Sequence, residues 1–210
     1  MPERTVEDLL RVQYVQLLPE VRRVAWQLET EIRFRTLPIL HGLNHYEQLI
    51  VKSRVKDCES AIRALQRRQE GRIFDPQRSM EYSLLSLPDL AGVRVLIFPR
   101  SRLLETDRVL NASFPDWKPD PVLGENGTVL APKYNGYCSG VSEKVKAEYQ
   151  VVPMLVGLFW EVEHGAMYKP DPSLVDIANS REMKLLKNDV EFALSRFEAV
   201  FESFVAENEI

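Results

Sequence analysis

The apolar positions along this chain fall into two long helical patterns with a mixed region between them. Val21, Val24, Ala25, Leu28 and Ile32 recur at helical spacing, which predicts helix over the first forty or so residues. Pro19 starts or kinks a turn in that helix, and Pro38 is its expected stop. At the other end Leu186, Val190, Ala193, Phe197, Val200 and Phe204 form one apolar stripe over about five turns, expected first as core packing and second as a dimer seam. Between them the period changes. Tyr46 to Val51 reads as a short strand, 55–69 as an amphipathic helix, and Val93 to Phe98 (VRVLIF) as a buried strand followed by helix over 101–113. Tyr137 to Val145 and Ala147 to Val152 read as strands, and Pro153 opens a helix running through Met167. Strands interleaved with helices and flanked by helices predict an α+β sheet domain. With no internal repeat or low-complexity linker, 1–210 is expected to be a single domain, with a core at 46–170 and helical extensions at 1–40 and 175–210.

Composition narrows the class. With 45% hydrophobic and 28% charged residues among 210, the chain has a globular profile, and no apolar run approaches a membrane span or a signal peptide. The cytoplasm is the expected location. Cys58 and Cys138 lie far apart with no histidine at metal-site spacing, so neither a zinc site nor a disulfide framework is predicted. The net charge of −4 argues against bulk nucleic-acid binding. Charge is unevenly spread, however: residues 52–102 hold eleven Lys or Arg against six Asp or Glu, leaving −9 for the remainder. A basic middle in an acidic chain points to a local anion site suited to a phosphorylated small molecule.

Four stretches carry candidate chemistry. In the 55–69 helix, Val55, Cys58, Ile62 and Leu65 form the buried face, while Lys56, Ser60, Arg63 and Arg67 share the other, with Arg54 just before it. Such a face near a helix N-terminus either holds a polyphosphate or is ordinarily solvated. In LPDLAGVRVLIF (87–98), Asp89 precedes a buried strand, Gly92 permits close approach, and Arg94 is a charge in an apolar run. Asp89 is then a cap or a ligand, and Arg94 a structural ion pair or a binding group. In KAEYQVV (146–152), alternation puts Glu148 and Gln150 on one face, either the solvent side or, if Glu148 meets Asp89, a shared Mg²⁺ site. In PKYNGYCSG (132–140), Asn135-Gly136 is a hairpin signal. His164 reads as a packing residue, and the absence of a His-Asp doublet argues against a metal-dependent phosphohydrolase of that type.

In order, these pieces resemble the synthetase domain of the RelA/SpoT family, the alarmone synthetases, in its small stand-alone form. The matching elements are RVKDCESAIRALQR (54–67), DLAGVRV (89–95), PKYNGY (132–137), EYQ (148–150) and WEVEHGAMYK (160–169). The resemblance implies a nucleotidyltransferase-like fold, a mixed β-sheet flanked by helices, that moves pyrophosphate from ATP to a ribose 3′-hydroxyl with Mg²⁺. Carried over, Arg54, Lys56, Ser60 and Arg67 hold the ATP phosphates, Arg63 replaces a missing lysine charge, and Arg94 lies in the ATP site. Asp89 binds the metal. Glu148 is the second acid, as metal ligand or base, and Tyr137 stacks on the acceptor base, with Lys133, Asn135 and Gln150 on the acceptor side.

Departures cluster on that side. The family's usual lysine is Ala64, its Arg-Ser-Leu-His after the tyrosine is Cys138-Ser139-Gly140-Val141, and its Glu-x-Gln-x-Arg-Thr strand is EYQVVP. The expected reaction makes (p)ppGpp from ATP and GDP or GTP. The alternatives are a toxic small synthetase acting on adenine nucleotides or the tRNA 3′ end, and a degenerate nucleotide-binding member. The terminal helices are the expected place for homo-oligomerisation or an antitoxin partner.

Overall fold

The computed structural model describes residues 5–124, 127–163, 177 and 180–207. Helix α1, Val6–Arg35, opens on a capping box between Thr5 and Asp8 and buries the predicted Val21, Val24, Ala25, Leu28 and Ile32. Pro19 lies inside it. The chain leaves α1 at Thr36, and Pro38 sits in the first turn of a short second helix, α2 (Leu37–His41), instead of ending the first.

Five strands form the main sheet: β1 (Gln48–Val55), β2 (Ala91–Phe98), β3 (Lys118–Pro119), β6 (Lys133–Tyr137) and β7 (Lys146–Pro153). Their order is β1-β2-β7-β6-β3, with β2 and β7 parallel and the other pairs antiparallel. Two short strands, β4 (Val122–Leu123) and β5 (Val129–Ala131), pair separately. The parallel pair requires a long crossover, which contains helix α4 (Leu103–Ser113). The fold is therefore the predicted α+β arrangement, a mixed sheet flanked by helices.

Alternation divides the sheet into unlike faces. Val51, Val93, Val95, Ala147, Tyr149 and Val151 point into the core beneath α1, α4 and helix α3 (Cys58–Gln66). On the opposite face, Leu96 and Val152 are sealed with Met154 and Trp160 of helix α5 (Met154–Glu163). The rest of that face is polar and uncovered by α5, which leaves room for a site.

Several boundaries differ from expectation. The first strand continues to Val55 and α3 begins only at Cys58 behind an Asp57 cap, so Arg54 belongs to a strand and Lys56 to the turn. Lys56 therefore does not share a helical face with Ser60, Arg63 and Arg67. The expected strand over 137–145 is a turn: Gly140 has φ +74°, and Ser142 Oγ accepts the backbone N–H groups of Lys144 and Val145. Asn135-Gly136 accordingly lies within β6 and not at the hairpin tip. His164 and the expected helical residues up to Met167 lie outside the described residues, as do Tyr168 and Lys169 of the WEVEHGAMYK match.

The last helix, α6 (Arg181–Glu207), corrects the core-packing expectation. Phe197, Val200 and Phe204 are each about 60% exposed (58%, 62% and 58%). The helix docks by a neighbouring stripe: Phe201 meets Tyr46 and Phe98 at 5.6 and 5.2 Å, and Glu191 accepts the Trp160 indole N–H at 2.7 Å. Its partner surface is α5 together with the short turn after β2, and it leaves the stripe of Phe197, Val200 and Phe204 uncovered. Glu198 on this docked stripe is fully buried, and neither of its oxygens has a hydrogen-bond partner.

Burial, reinforced by Glu202 and opposed by Arg100, pushes the Glu198 carboxyl up to about 7. Because the folded pKa is raised, its contribution to stability is complete below the ordinary value of 4.5 and is lost as pH rises through about 7. Glu198→Gln should raise the thermal midpoint at pH 8 and leave it nearly unchanged at pH 5. Melts of both proteins at the two pH values check this.

Candidate functional site

The polar face is organised by strand register. Arg54 of β1, Gly92 of β2, Glu148 of β7, Asn135 of β6 and Lys118 of β3 lie in one row across all five strands. One step along, Lys52, Arg94, Gln150 and Lys133 form a parallel row on the same face. Gly92 is the gap in the first row. A side chain there would begin 3.4 Å from the Arg54 Cγ and Nε, which lie over the glycine while the Arg54 guanidinium reaches 3.7 Å from Glu148 Oε1.

Glu148 is 5% exposed. Gln150 Nε2 donates to its Oε1 at 2.7 Å, and Lys133 Nζ stands 3.8 Å from its Oε2. Burial pushes its pKa up, Lys133 and Arg54 pull it down, and the negative charge of Asp89 pushes it up again, with a net rise. A carboxylate so placed gains proton affinity while staying surrounded by cations. Lys133 also pairs with Asp120 at 2.6 Å, and Asn135 Nδ2 donates to the same carboxylate at 3.3 Å.

Asp89 precedes β2 and pairs with Lys56, whose backbone N–H donates to the Leu90 carbonyl at 2.9 Å. The other oxygen of Asp89, Oδ1, is buried without a hydrogen-bond partner, and the field of Asp89 is felt at Glu148. An orphaned carboxylate oxygen beside a second carboxylate suits a hard cation that takes oxygen ligands. Among the described residues no three His, Cys, Asp or Glu side chains cluster, so such a cation would need substrate oxygens to complete its shell.

The structure thus brings Arg54, Arg94, Lys133, Asn135, Glu148 and Gln150 onto one face, with Tyr137 two residues beyond Asn135 at its edge. Tyr137 is 44% exposed, with the Lys146 ammonium 5.6 Å from its ring centroid. Helix α3 contributes less directly. Arg63 and Arg67 are exposed and the Ser60 hydroxyl is buried without a hydrogen-bond partner. Ala64 is buried, about 100° around the helix from Arg63, so Arg63 does not point where a lysine at 64 would.

Two residues at the site were not expected from sequence. Glu161 of α5 reaches across to Lys52 at 2.9 Å and to Arg94 at 3.9 Å. Burial, with Arg54 nearby, lowers the Arg94 pKa, while Glu161 and Glu148 oppose that shift. Lys52 was legible in principle, because it lies two positions before Arg54 and a longer first strand would have put both on one face.

No protein-family model matches the sequence, and no curated protein matches it significantly. Solved structures do match. Small alarmone synthetase 1 from Bacillus subtilis bound to its product pppGpp superposes with TM-score 0.68 at 17% identity, over 94% of this chain and 99% of that one. The chain has the small alarmone synthetase fold. The same Bacillus protein bound to AMPCPP gives 0.63 at 17% identity over 94% and 98%. A GTP pyrophosphokinase family protein from Streptococcus pneumoniae gives 0.63 at 16% over 92% and 93%.

In this alarmone synthetase fold, Gly136 has a role distinct from the turn its sequence suggested. A methyl group there would stand 2.5 Å from the Trp117 indole, so the glycine lets that ring lie flat against β6. Gly136→Ala must therefore displace Trp117. A loss of roughly 1–3 kcal/mol is expected, as for other overpacked sites. Urea denaturation of the two proteins measures it, with near-UV circular dichroism reporting the displaced ring.

Proposed function

We propose that this chain transfers pyrophosphate from ATP to the ribose 3′-hydroxyl of GDP or GTP, making (p)ppGpp. The observation that carries this reading is the buried Glu148, flanked by Arg54 and Lys133 and aligned across the sheet with Asn135. A likeness in fold to proteins solved with AMPCPP and with pppGpp supports nucleotides as the ligands.

In this reading the acceptor 3′-oxygen attacks the β-phosphorus of ATP. The bond from that phosphorus to the oxygen bridging it to the α-phosphorus breaks, AMP leaves, and the hydroxyl proton passes to Glu148. The raised proton affinity of Glu148 suits it to take that proton. Arg54 and Arg94, with Lys56 from the turn, hold the triphosphate and meet charge that shifts onto the leaving oxygen, since such transfers depend mainly on positioning and electrostatics. Asp89, together with phosphate oxygens of the nucleotide, would hold Mg²⁺, which would supply charge neutralisation on the phosphates and leave Glu148 to act as the base. Tyr137 carries the acceptor base, and Lys133, Asn135 and Gln150 keep the ribose against Glu148.

Protein incubated with Mg²⁺, ATP and GDP or GTP should release AMP and a pyrophosphorylated guanine nucleotide. Absence of AMP would sink the reading. Glu148→Gln should lower kcat roughly 10²- to 10⁴-fold while ATP affinity changes little. The wild-type pH–rate profile should show its acidic limb above the ordinary carboxylate value of 4.5, because the Glu148 pKa is raised and the base is lost as pH falls through it.

A further inference from the structure

A cavity of about 650 Å³ opens beside Tyr137, walled by Gln27 and Glu31 of α1, by Asp116 and Trp117, and by Lys146. Asn135 also lines it, so it is continuous with the polar row. Tyr137 stands two residues beyond Asn135 on the same face, about 7 Å along the strand, a spacing comparable to that between a ribose and its base. Tyr137 and Glu31 line the same cavity, so a base resting on Tyr137 would turn an edge toward α1.

We propose that Glu31 determines acceptor specificity, its carboxylate accepting the N1–H and 2-amino N–H of a guanine stacked on Tyr137. This rests on the function proposed above, in which Tyr137 carries the acceptor base. A carboxylate only accepts hydrogen bonds and offers two oxygens side by side. Guanine alone among the common purines presents two adjacent donors to it; adenine presents a bare N1 lone pair, and hypoxanthine lacks the amino group. A site acceptor left without its donor discriminates against such analogues.

Glu31 is also well positioned to read a base edge. It projects from a 30-residue helix, and Arg35 Nε donates to its Oε1 at 2.7 Å, which fixes the carboxylate in direction. Its negative charge reaches the residue next to Tyr137: burial first and Glu31 second push the Cys138 thiol up to about 11. Asp116, the cavity's other carboxylate, is exposed in the segment after α4 and has no such anchor.

The test is calorimetric titration of GDP and of inosine diphosphate into the full chain with Mg²⁺ and saturating AMPCPP. The methylene bridge of AMPCPP replaces the oxygen that must leave, so the donor site is filled and no transfer occurs. Wild type should bind GDP more tightly than the inosine nucleotide. Glu31→Gln should weaken GDP roughly 10- to 100-fold and shrink the difference between the two ligands, whereas Asp116→Asn should leave it. An unchanged ratio in Glu31→Gln, or a collapse confined to Asp116→Asn, overturns the assignment. If wild type prefers GDP and Glu31→Gln loses that preference, yet ATP and GDP give no AMP on turnover, the proposed reaction fails and the assignment stands. A wild type that binds no GDP overturns both.

Discussion

The site depends on a carboxylate held out of water in the middle of a β-sheet. Glu148 is 5% exposed, and a buried anion without compensation costs several kcal/mol. Its neighbours are arranged to meet that cost: Arg54 from one side over Gly92, Lys133 from the other, and Gln150 from its own strand. Each comes from a different position in the chain, and only the register β1-β2-β7-β6 aligns them. In the proposed reaction, the groups that keep Glu148 tolerable are also those that meet phosphate and ribose.

The other side of the same strand shows why this alignment is rigid. Tyr149, next to Glu148, points into the core and is fully buried, stacked on Tyr134 at 4.9 Å and packed against Phe114 and Trp117 at 5.3 Å each. Aromatic packing of this kind adds to simple area burial. A slip of β7 by one residue would exchange Glu148 and Tyr149, burying a charge in the aromatic layer and exposing that layer to water. Gly136 belongs to this arrangement, because it lets Trp117 complete the layer while Asn135 and Tyr137 face the site.

Ion pairing gives the open site its resting electrostatics. Lys56 with Asp89, Lys52 and Arg94 with Glu161, and Lys133 with Asp120 and Glu148 are all opposed charges on or beside one surface. A phosphorylated ligand must compete with those carboxylates for the cations. Of the basic residues in 52–102, Lys52, Arg54 and Arg94 meet carboxylates from later in the chain, at Glu148 and Glu161.

Much of this was legible in the sequence, because period and residue type are local properties. The helical spacing of Val21 to Ile32, the buried VRVLIF strand and the alternation that puts Glu148 with Gln150 and opposite Tyr149 follow from side-chain geometry along one segment. The order of motifs was enough to suggest a nucleotide-transfer site. What failed was local as well: Asn135-Gly136 has turn chemistry, yet a tryptophan from another segment needs the space at Gly136 inside a strand. The exposed stripe of α6 fails for a related reason, since periodicity reveals an apolar face but not whether a surface exists to cover it. Strand pairing, the crossing of Arg54 over Gly92 and the wall that Glu31 gives the cavity were decided only in three dimensions. They depend on contacts between residues dozens of positions apart, and no segment encodes its partner's register.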